Sequence, residues 1–333
     1  MTIKVAAYLQ VGETDMKRFK NILIVCDETE RLDGVLKRGL WLAKANDARV
    51  TLIDVVETKP GDLSRHFSAL PPTRAAEIER QVMAHYSQRL SEHAKAFRSE
   101  GIEVREVVDQ GIPFISVIQR VLSAGHDLVL KGDAPHHPAQ SFFASNDMHL
   151  IRKCPCPVWI LQSRQPRRTE RILAAIDPDT TDPAMVALNR TILELAGSLA
   201  ARDESELHIV HAWRLQEETA LRRSRLSISE DEVAAILTAE GARLTGEMGI
   251  LLAGLPEVRD AAKVAQIKGV AGDVIPDYAH EHNIDTIVMG TVGRTGVAGF
   301  FIGNTAETIL GSVECSVLTV KPVEFRSPVG LPA

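Results

Sequence analysis

The sequence predicts an α/β protein made of two tandem copies of one domain, each with a parallel sheet of five strands. Short apolar runs alternate with amphipathic stretches of helical spacing, which is typical of a parallel sheet covered by helices on both faces. The order of elements then repeats, because Asp127 and Asp285 lie 158 positions apart and Cys156 and Cys315 lie 159 apart. A chain of 333 residues is long enough for each copy to bury its own core.

Apolar runs of strand length mark the first copy. The predicted strands are residues 21–26, 50–56, 104–108, 127–130 and 158–161. Helices are predicted around residues 32–43, 74–98 and 115–122, where apolar residues recur at helical spacing. Asp27 comes directly after the first strand.

The second copy repeats this order. Its predicted strands are residues 171–176, 207–213, 261–267, 284–288 and 316–320. Its predicted helices lie around residues 184–199, 233–251, 274–279 and 304–310. Asp27 and Asp177 lie only 150 positions apart, whereas Leu52 and Ile209 lie 157 apart, so we expect an insertion near the first helix of the second copy.

The repeat sets the expected domain boundaries. We expect, in order, an N-terminal extension, a first domain, a polar linker, a second domain and a C-terminal tail. Their expected bounds are residues 1–18, 19–163, 164–170, 171–323 and 324–333.

Charge and composition narrow the class of protein. A net charge of −6 argues against a nucleic-acid partner bound through its phosphates. No apolar run approaches the roughly 18 residues that span a bilayer, and the start of the chain does not resemble a secretory signal. The cysteines are too few for a disulfide framework, and Cys154-Pro155-Cys156 fits a buried turn better than a zinc site. The sequence therefore predicts a cytoplasmic protein with no membrane span.

A glycine-rich segment lies between the predicted strand at 284–288 and the predicted helix at 304–310. Its five glycines are Gly290, Gly293, Gly296, Gly299 and Gly303. Glycine lets backbone N–H groups approach a ligand, and a strand, a glycine loop and a helix N-terminus together form an anion site. For the glycines alone, a flexible turn is the alternative interpretation.

The spacing of three of these glycines resembles the ATP-binding signature of the universal stress protein family. Gly290-x2-Gly293-x9-Gly303 has the spacing, although the signature normally ends in Gly-Ser or Gly-Thr and here ends Gly303-Asn304-Thr305. The resemblance covers nearly the whole chain and extends to the tandem members of the family. It implies two tandem flavodoxin-like (Rossmann-like) domains with strands ordered 3-2-1-4-5, paired as a pseudo-dimer through their fifth strands.

The resemblance also implies one nucleotide site, in the second copy only. In that site Asp177 accepts hydrogen bonds from ribose hydroxyls, Val210 contacts the base and Met289 packs near the sugar. The residues implied to surround the phosphates are Gly290, Gly293, Arg294, Gly303, Asn304 and Thr305. The implied ligand is ATP or a related nucleotide, with Mg²⁺ only as its companion. Asp177 as a helix cap and Val210 as an ordinary core residue are the alternatives.

The first copy has a different loop at the corresponding place. Gly132 matches the first glycine of the signature, but Pro135 and Ser145 stand at the positions of the other two. Proline fixes φ and has no N–H to donate, so this loop is not expected to bind phosphate. His136 and His137 are adjacent histidines without a third ligand, and a metal site is not expected there.

Three functions remain open from the sequence. The chain has no P-loop, no dinucleotide fingerprint and no hydrolase elbow, and no catalytic cluster accompanies the glycine loop. The sequence predicts a tandem universal stress protein that is not an enzyme, or at most a slow ATPase, with a role in stress resistance through unknown protein partners. The alternatives are a scaffold or regulator that binds a protein partner or another ligand, such as a nucleotide-linked lipid or sugar, and a true hydrolase.

Overall fold

The computed structural model describes residues 19–27, 32–57, 71–133, 145–162, 169–178, 181–223, 228–292 and 303–331. Contacts among them divide the chain into two compact units. The first unit contains the described residues up to 162 and also 323–331, and the second contains those from 169 to 322. The end of the chain therefore packs with the first unit, where Gln119 Nε2 donates to the Gly330 carbonyl at 3.1 Å.

The first unit is a parallel sheet with helices between its strands. Its elements are β1 Asn21–Val25, α1 Leu32–Asn46, β2 Arg49–Glu57, α2 Pro72–Ser99, β3 Val104–Gly111, α3 Pro113–Ala124, β4 Leu128–Gly132, α4 Ser145–Lys153 and β5 Val158–Leu161. The strand order is β3-β2-β1-β4-β5. Ile22 of β1 lies between Val50 and Leu128.

The second unit repeats this arrangement. Its elements are β6 Arg171–Ala175, α5 Pro183–Asp203, β7 Glu206–Trp213, α6 Glu218–Arg223, α7 Glu230–Ala253, α8 Pro256–Ala261, β8 Ala262–Lys268, α9 Ala271–Glu281, β9 Thr286–Gly290, α10 Asn304–Ser312 and β10 Ser316–Val320. The strand order is β10-β9-β6-β7-β8. Ile172 lies between Leu207 and Thr286, as Ile22 does between its partners in the first unit. Numbered within each unit, both sheets have the order 3-2-1-4-5, so the predicted flavodoxin-like fold is confirmed.

The core of each unit lies around its central strands. Every residue of β1 and β4 is buried, because helices cover both faces of a parallel sheet. α1 packs so closely that a Cβ on Gly39 would lie 2.3 Å from Ile24 Cδ1. Replacing a fully buried leucine such as Leu23 or Leu52 by alanine would cost about 2–5 kcal/mol.

The helix ends follow local capping rules. The Asp182 side chain accepts the Ala184 N–H at 2.9 Å and starts α5. Ser229 and Glu232 form a reciprocal capping box at the start of α7. Gly125, with φ of 65°, ends α3 in the left-handed conformation that glycine adopts without strain.

The structure departs from the prediction at some helices. The six-residue helices α6 and α8 were not predicted, because a helix of that length shows little periodicity. Asn304 is the first helical residue of α10, where the predicted helix at 304–310 also begins, and Gly303 is its cap. Cys154 and Cys156 are buried before β5 with their Sγ atoms 3.6 Å apart.

Candidate functional site

The second sheet brings three predicted site residues together at the end where β6 and β9 stop, which we call its carboxyl end. β6 and β9 are parallel neighbours, with Ala175 opposite Met289. Asp177 lies two residues beyond β6, and Gly290 ends β9. Open parallel sheets bind their ligands beyond this end of the strands. Asp177, Met289 and Gly290, which are far apart in the sequence, thus share one candidate site.

Asp177 is held in place by Asn189 of α5. The Asp177 N–H donates to Asn189 Oδ1 at 3.2 Å, and Asn189 Nδ2 donates a hydrogen bond back to the Asp177 carbonyl. Asn189 is 2% exposed, so its amide satisfies this backbone inside the core. The Asp177 side chain is 41% exposed and remains accessible to a ligand. Asn189 was not predicted as a site residue. The sequence feature that could have indicated it is an amide side chain among the apolar residues of a helix face.

The strand β7 is the neighbour of β6 in the sheet, and its residues lie close to Asp177. The Ile176 N–H donates to the Val210 carbonyl at 3.1 Å, and the Val210 side chain is fully buried. The next residue, His211, is buried and places Nε2 3.8 Å from Asp177 Oδ1. Sequence analysis did not place His211 beside Asp177, because only the pairing of β6 with β7 brings them together.

Gly290 has a packing role of its own. A Cβ at Gly290 would lie 2.9 Å from Leu188 Cδ2 and 3.6 Å from Ile192 Cδ1. α5 therefore lies directly against the end of β9, and any side chain at this position would displace Leu188. The same glycine can serve helix packing and ligand approach.

Thr291 and Gly303 close the base of the glycine loop. The Gly303 N–H donates to the Thr291 carbonyl at 2.9 Å, and the Thr291 N–H donates to the Val320 carbonyl at 3.4 Å. Lys321, directly after β10, donates from Nζ to Thr291 Oγ1. Gly293 and Arg294 lie outside the described residues.

The start of α10 faces the same end of the sheet. Gly303 has φ of −63° and ψ of 141°, angles open to any residue, so its backbone conformation does not explain why glycine stands there. Among the described residues, no side chain caps the helix at Gly303. Asn304 and Thr305 are exposed in its first turn, where N–H groups and the helix dipole favour an anion.

Comparison with known protein families identifies the family of this chain. The universal stress protein family model matches residues 18–162 and 168–321. The chain belongs to the universal stress protein family. The two matches correspond to the two units, which we call the first and second universal stress domains.

Full-length relatives share the tandem organisation. Universal stress protein E of Escherichia coli strain K12 is 28% identical over 325 residues, covering 95% of this chain and 98% of that protein. Universal stress protein E of Photorhabdus laumondii is 27% identical and covers 94% and 98%. A solved structure from Pseudomonas aeruginosa PAO1 covers 93% of this chain and 95% of its own, with a TM-score of 0.71 at 22% identity. A universal stress protein from Archaeoglobus fulgidus has a TM-score of 0.55 at 17% identity. The structural likenesses support the shared fold.

The first universal stress domain has a buried lysine at the corresponding end of its sheet. The registers of β4 and β9 put Lys131 at the position of Met289. Lys131 Nζ lies 2.6 Å from Asp27 Oδ2 and 3.0 Å from Asp147 Oδ1, and it donates to the Gly132 carbonyl at 2.9 Å. Burial opposes the charge, but the two carboxylates outweigh it and raise the pKa of Lys131. An internal ion cluster therefore occupies this end of the first domain.

A second ion pair lies beside that cluster. Arg89 of α2 forms an ion pair with Asp54 of β2 and donates to the Cys26 carbonyl at 3.3 Å. Burial raises the pKa of Asp54, although hydrogen bonding to Arg89 acts in the opposite direction. Asp54 follows Ile53, whose counterpart in the second domain is Val210, so Asp54 corresponds to His211.

The opposite end of the first sheet carries a surface hollow of about 830 Å³. Its charged groups pair with one another, with Lys20 Nζ 3.7 Å from Asp47 Oδ2 and Lys44 Nζ 2.5 Å from Glu100 Oε2. It lies at the amino ends of the strands, opposite the end at which such sheets bind their ligands.

No described helix is both long enough and apolar enough to cross a membrane. Within the same residues, no three His, Cys, Asp or Glu side chains are grouped as they would be to hold a metal ion.

Proposed function

We propose that this tandem universal stress protein acts in stress resistance and binds one adenine nucleotide weakly, at the carboxyl end of the second sheet. The observation that supports this most is the difference between the two domains. Asp177 is exposed beside Met289 in the second domain, whereas Lys131 joins Asp27 in an ion pair at the same place in the first.

The ribose and base would lie over β6 and β7. Asp177 is accessible, and Asn189 fixes its backbone, so its carboxylate is ready to accept hydrogen bonds from two neighbouring hydroxyls. Val210 and Met289 are buried and would form the apolar floor beneath the base and the sugar. His211 would stay beside Asp177, with its Nε2 3.8 Å from Asp177 Oδ1.

The phosphates would lie between the end of β9 and the start of α10. The proposed contacts are Gly290, Gly293, Arg294, Gly303, Asn304 and Thr305. The first turn of α10 supplies N–H groups, and a glycine at the cap position has no side chain to cover them. A Mg²⁺ ion would arrive with the nucleotide and be held mainly by its phosphates.

We infer a binding role rather than a catalytic one. The proposed contacts can hold a nucleotide, but they include no paired acid and base next to the phosphates, so any ATP hydrolysis would be slow. The proposed compartment is the cytoplasm, which agrees with four buried cysteines that are free thiols.

Calorimetric titration with Mg-ATP tests the proposal. We expect one site per chain, and we expect Gly303→Val to abolish binding by covering the first N–H groups of α10. Ser145→Val, 158 positions earlier in the first domain, is the matched control and should leave binding unchanged. Two equivalent sites, or binding that survives Gly303→Val, would contradict the proposal.

A second candidate is a regulator that binds another ligand, such as a nucleotide-linked lipid or sugar. The observation in its favour is Asn304, whose exposed amide stands where the family signature has a hydroxyl. Native mass spectrometry of the purified full-length chain distinguishes the two. A mass increase equal to an adenine nucleotide supports the first proposal, and a larger co-purified adduct supports the second.

A further inference from the structure

A buried lysine supports the base of the proposed phosphate site. Lys321 is 9% exposed and Thr291 is completely buried, and Lys321 Nζ donates to Thr291 Oγ1. Placing an ammonium group inside a protein is costly unless the group is hydrogen-bonded and paired. The ammonium of Lys321 therefore depends on polar partners such as Thr291, the first residue beyond β9.

Thr291 is the junction of three elements. Its N–H donates to the Val320 carbonyl at the end of β10, and its carbonyl accepts the Gly303 N–H at 2.9 Å. Gly303 is the cap of α10, so the position of Thr291 also sets where the first turn of that helix lies. Lys321 adds a side-chain hydrogen bond to Thr291. A shift of Thr291 would move the helix end that the proposed function uses.

The first universal stress domain provides an internal comparison. There the Asp133 N–H donates to the Leu161 carbonyl at 2.9 Å, which is the same backbone bond as that from Thr291 to Val320. The side chains differ, since Asp133 stands at the position of Thr291 and Gln162 at the position of Lys321. The backbone junction thus belongs to both domains, but the ammonium at this place belongs to the second alone.

We propose that Lys321 is a positioning residue for nucleoside polyphosphates. It fixes Thr291, and through Thr291 it fixes Gly303 and the start of α10. It also adds positive charge beneath the place where the phosphates are proposed to bind, and charge interacts strongly where water is excluded. This inference rests on the proposed function and adds a ligand preference to it: Lys321 favours ATP and ADP over adenosine.

Titration of the full chain with ATP and with adenosine tests this preference. Lys321→Gln introduces the residue of the first domain, and we expect it to weaken ATP binding on the order of tenfold or more while adenosine binding stays the same. Lys321→Arg should recover much of the loss, because it keeps the charge. Lys263→Gln, which removes an exposed lysine near the start of β8, is the matched control and should bind ATP as wild type does. An equal loss for ATP and adenosine, or no loss for either, would overturn the inference.

A second measurement needs no ligand. Selective ¹⁵N-glycine labelling allows hydrogen exchange of the Gly303 amide to be followed by NMR, and this amide donates to Thr291. We expect faster exchange at Gly303 in Lys321→Gln and in Thr291→Val, while the Gly39 amide in α1 of the first domain is unchanged. If wild type binds no nucleotide, the proposed function fails, and exchange at Gly303 then decides the positioning role alone. Unchanged exchange at Gly303 would reject that role.

Discussion

Lys131 Nζ lies 2.6 Å from Asp27 Oδ2, and this ion pair in the first universal stress domain occupies the place that Met289 and Asp177 occupy in the second. The carboxylate that is 41% exposed in the second domain thus corresponds to one that a lysine engages in the first. The loss of the glycine loop is one difference between the domains, and the filling of the sheet end by a charged cluster is another. We expect both differences to weaken anion binding in the first domain.

The cluster should stabilise the first domain. Lys131→Met introduces the residue of the second domain and leaves Asp27 and the fully buried Asp147 without their ammonium. Breaking a buried ion pair on one side typically costs about 3–5 kcal/mol, so we expect a loss of that order in the free energy of unfolding, measured by urea denaturation. Adding Asp147→Thr to Lys131→Met also follows the second domain and should recover part of the loss. Equal stability of the single and double variants would contradict the prediction.

Asn304 should limit the affinity for phosphate. It is the first residue of α10 and stands where the family signature has a hydroxyl residue. Serine is smaller and can place a hydroxyl on a phosphate oxygen, and one hydrogen bond to a charged group is worth about 1.5–3 kcal/mol. We expect Asn304→Ser to strengthen ATP binding by on the order of tenfold or more, measured by calorimetry.

The matched control for this change is Asn146→Ser. Asn146 lies 158 positions earlier, in α4 of the first domain. It should leave ATP binding unchanged. Equal or weaker binding by Asn304→Ser would show that the asparagine does not limit the pocket.

Burial of His126 should make stability depend on pH. His126 Nε2 lies 3.0 Å from Thr51 Oγ1, and burial is the main cause that lowers the pKa of His126 from 6.5 to about 4. The folded chain therefore binds this proton more weakly than the unfolded chain does. The free energy of unfolding is therefore not reduced by this histidine above about pH 6.5, and it decreases as the pH falls from there towards 4.

Urea denaturation at pH 7 and pH 5 measures this effect. We expect the free energy of unfolding to fall more between these values in wild type than in His126→Gln. Burial raises the pKa of Asp54 and of Asp127, and a raised carboxyl pKa makes the folded state more stable as the pH falls. Both carboxyl groups are present in wild type and in His126→Gln, so their effect is common to the two proteins. The same fall in both proteins would show that His126 is not responsible.

The fifth strands should pair the two domains as a pseudo-dimer. Within its own domain β5 adjoins β4 and β10 adjoins β9, each at the end of the strand order. Both strands are apolar, and an uncovered apolar edge promotes aggregation. We expect an experimental structure of the full chain to show β5 and β10 side by side. A structure with these two strands far apart would refute the pairing.

The fold could be predicted from the sequence because its signals are local. The alternation of apolar runs with helical spacing identifies the strands and long helices, and the offset of 158 between Asp127 and Asp285 identifies the duplication. The glycine loop after β9 and Asp177 after β6 were visible for the same reason. Each signal lies within a short stretch of chain, where side-chain spacing and backbone preference act directly. The short helices α6 and α8 escaped because six residues carry too little periodicity.

The sequence by itself determined the duplicated α/β fold and the asymmetry of the two loops, and only the tertiary structure decided which side chains support each sheet end. Asn189 holds Asp177, Lys321 holds Thr291, and Lys131 joins Asp27. The partners in these pairs lie 12, 30 and 104 positions apart. Such contacts depend on strand order and register, which bring distant residues to one end of a sheet, and no local pattern encodes them.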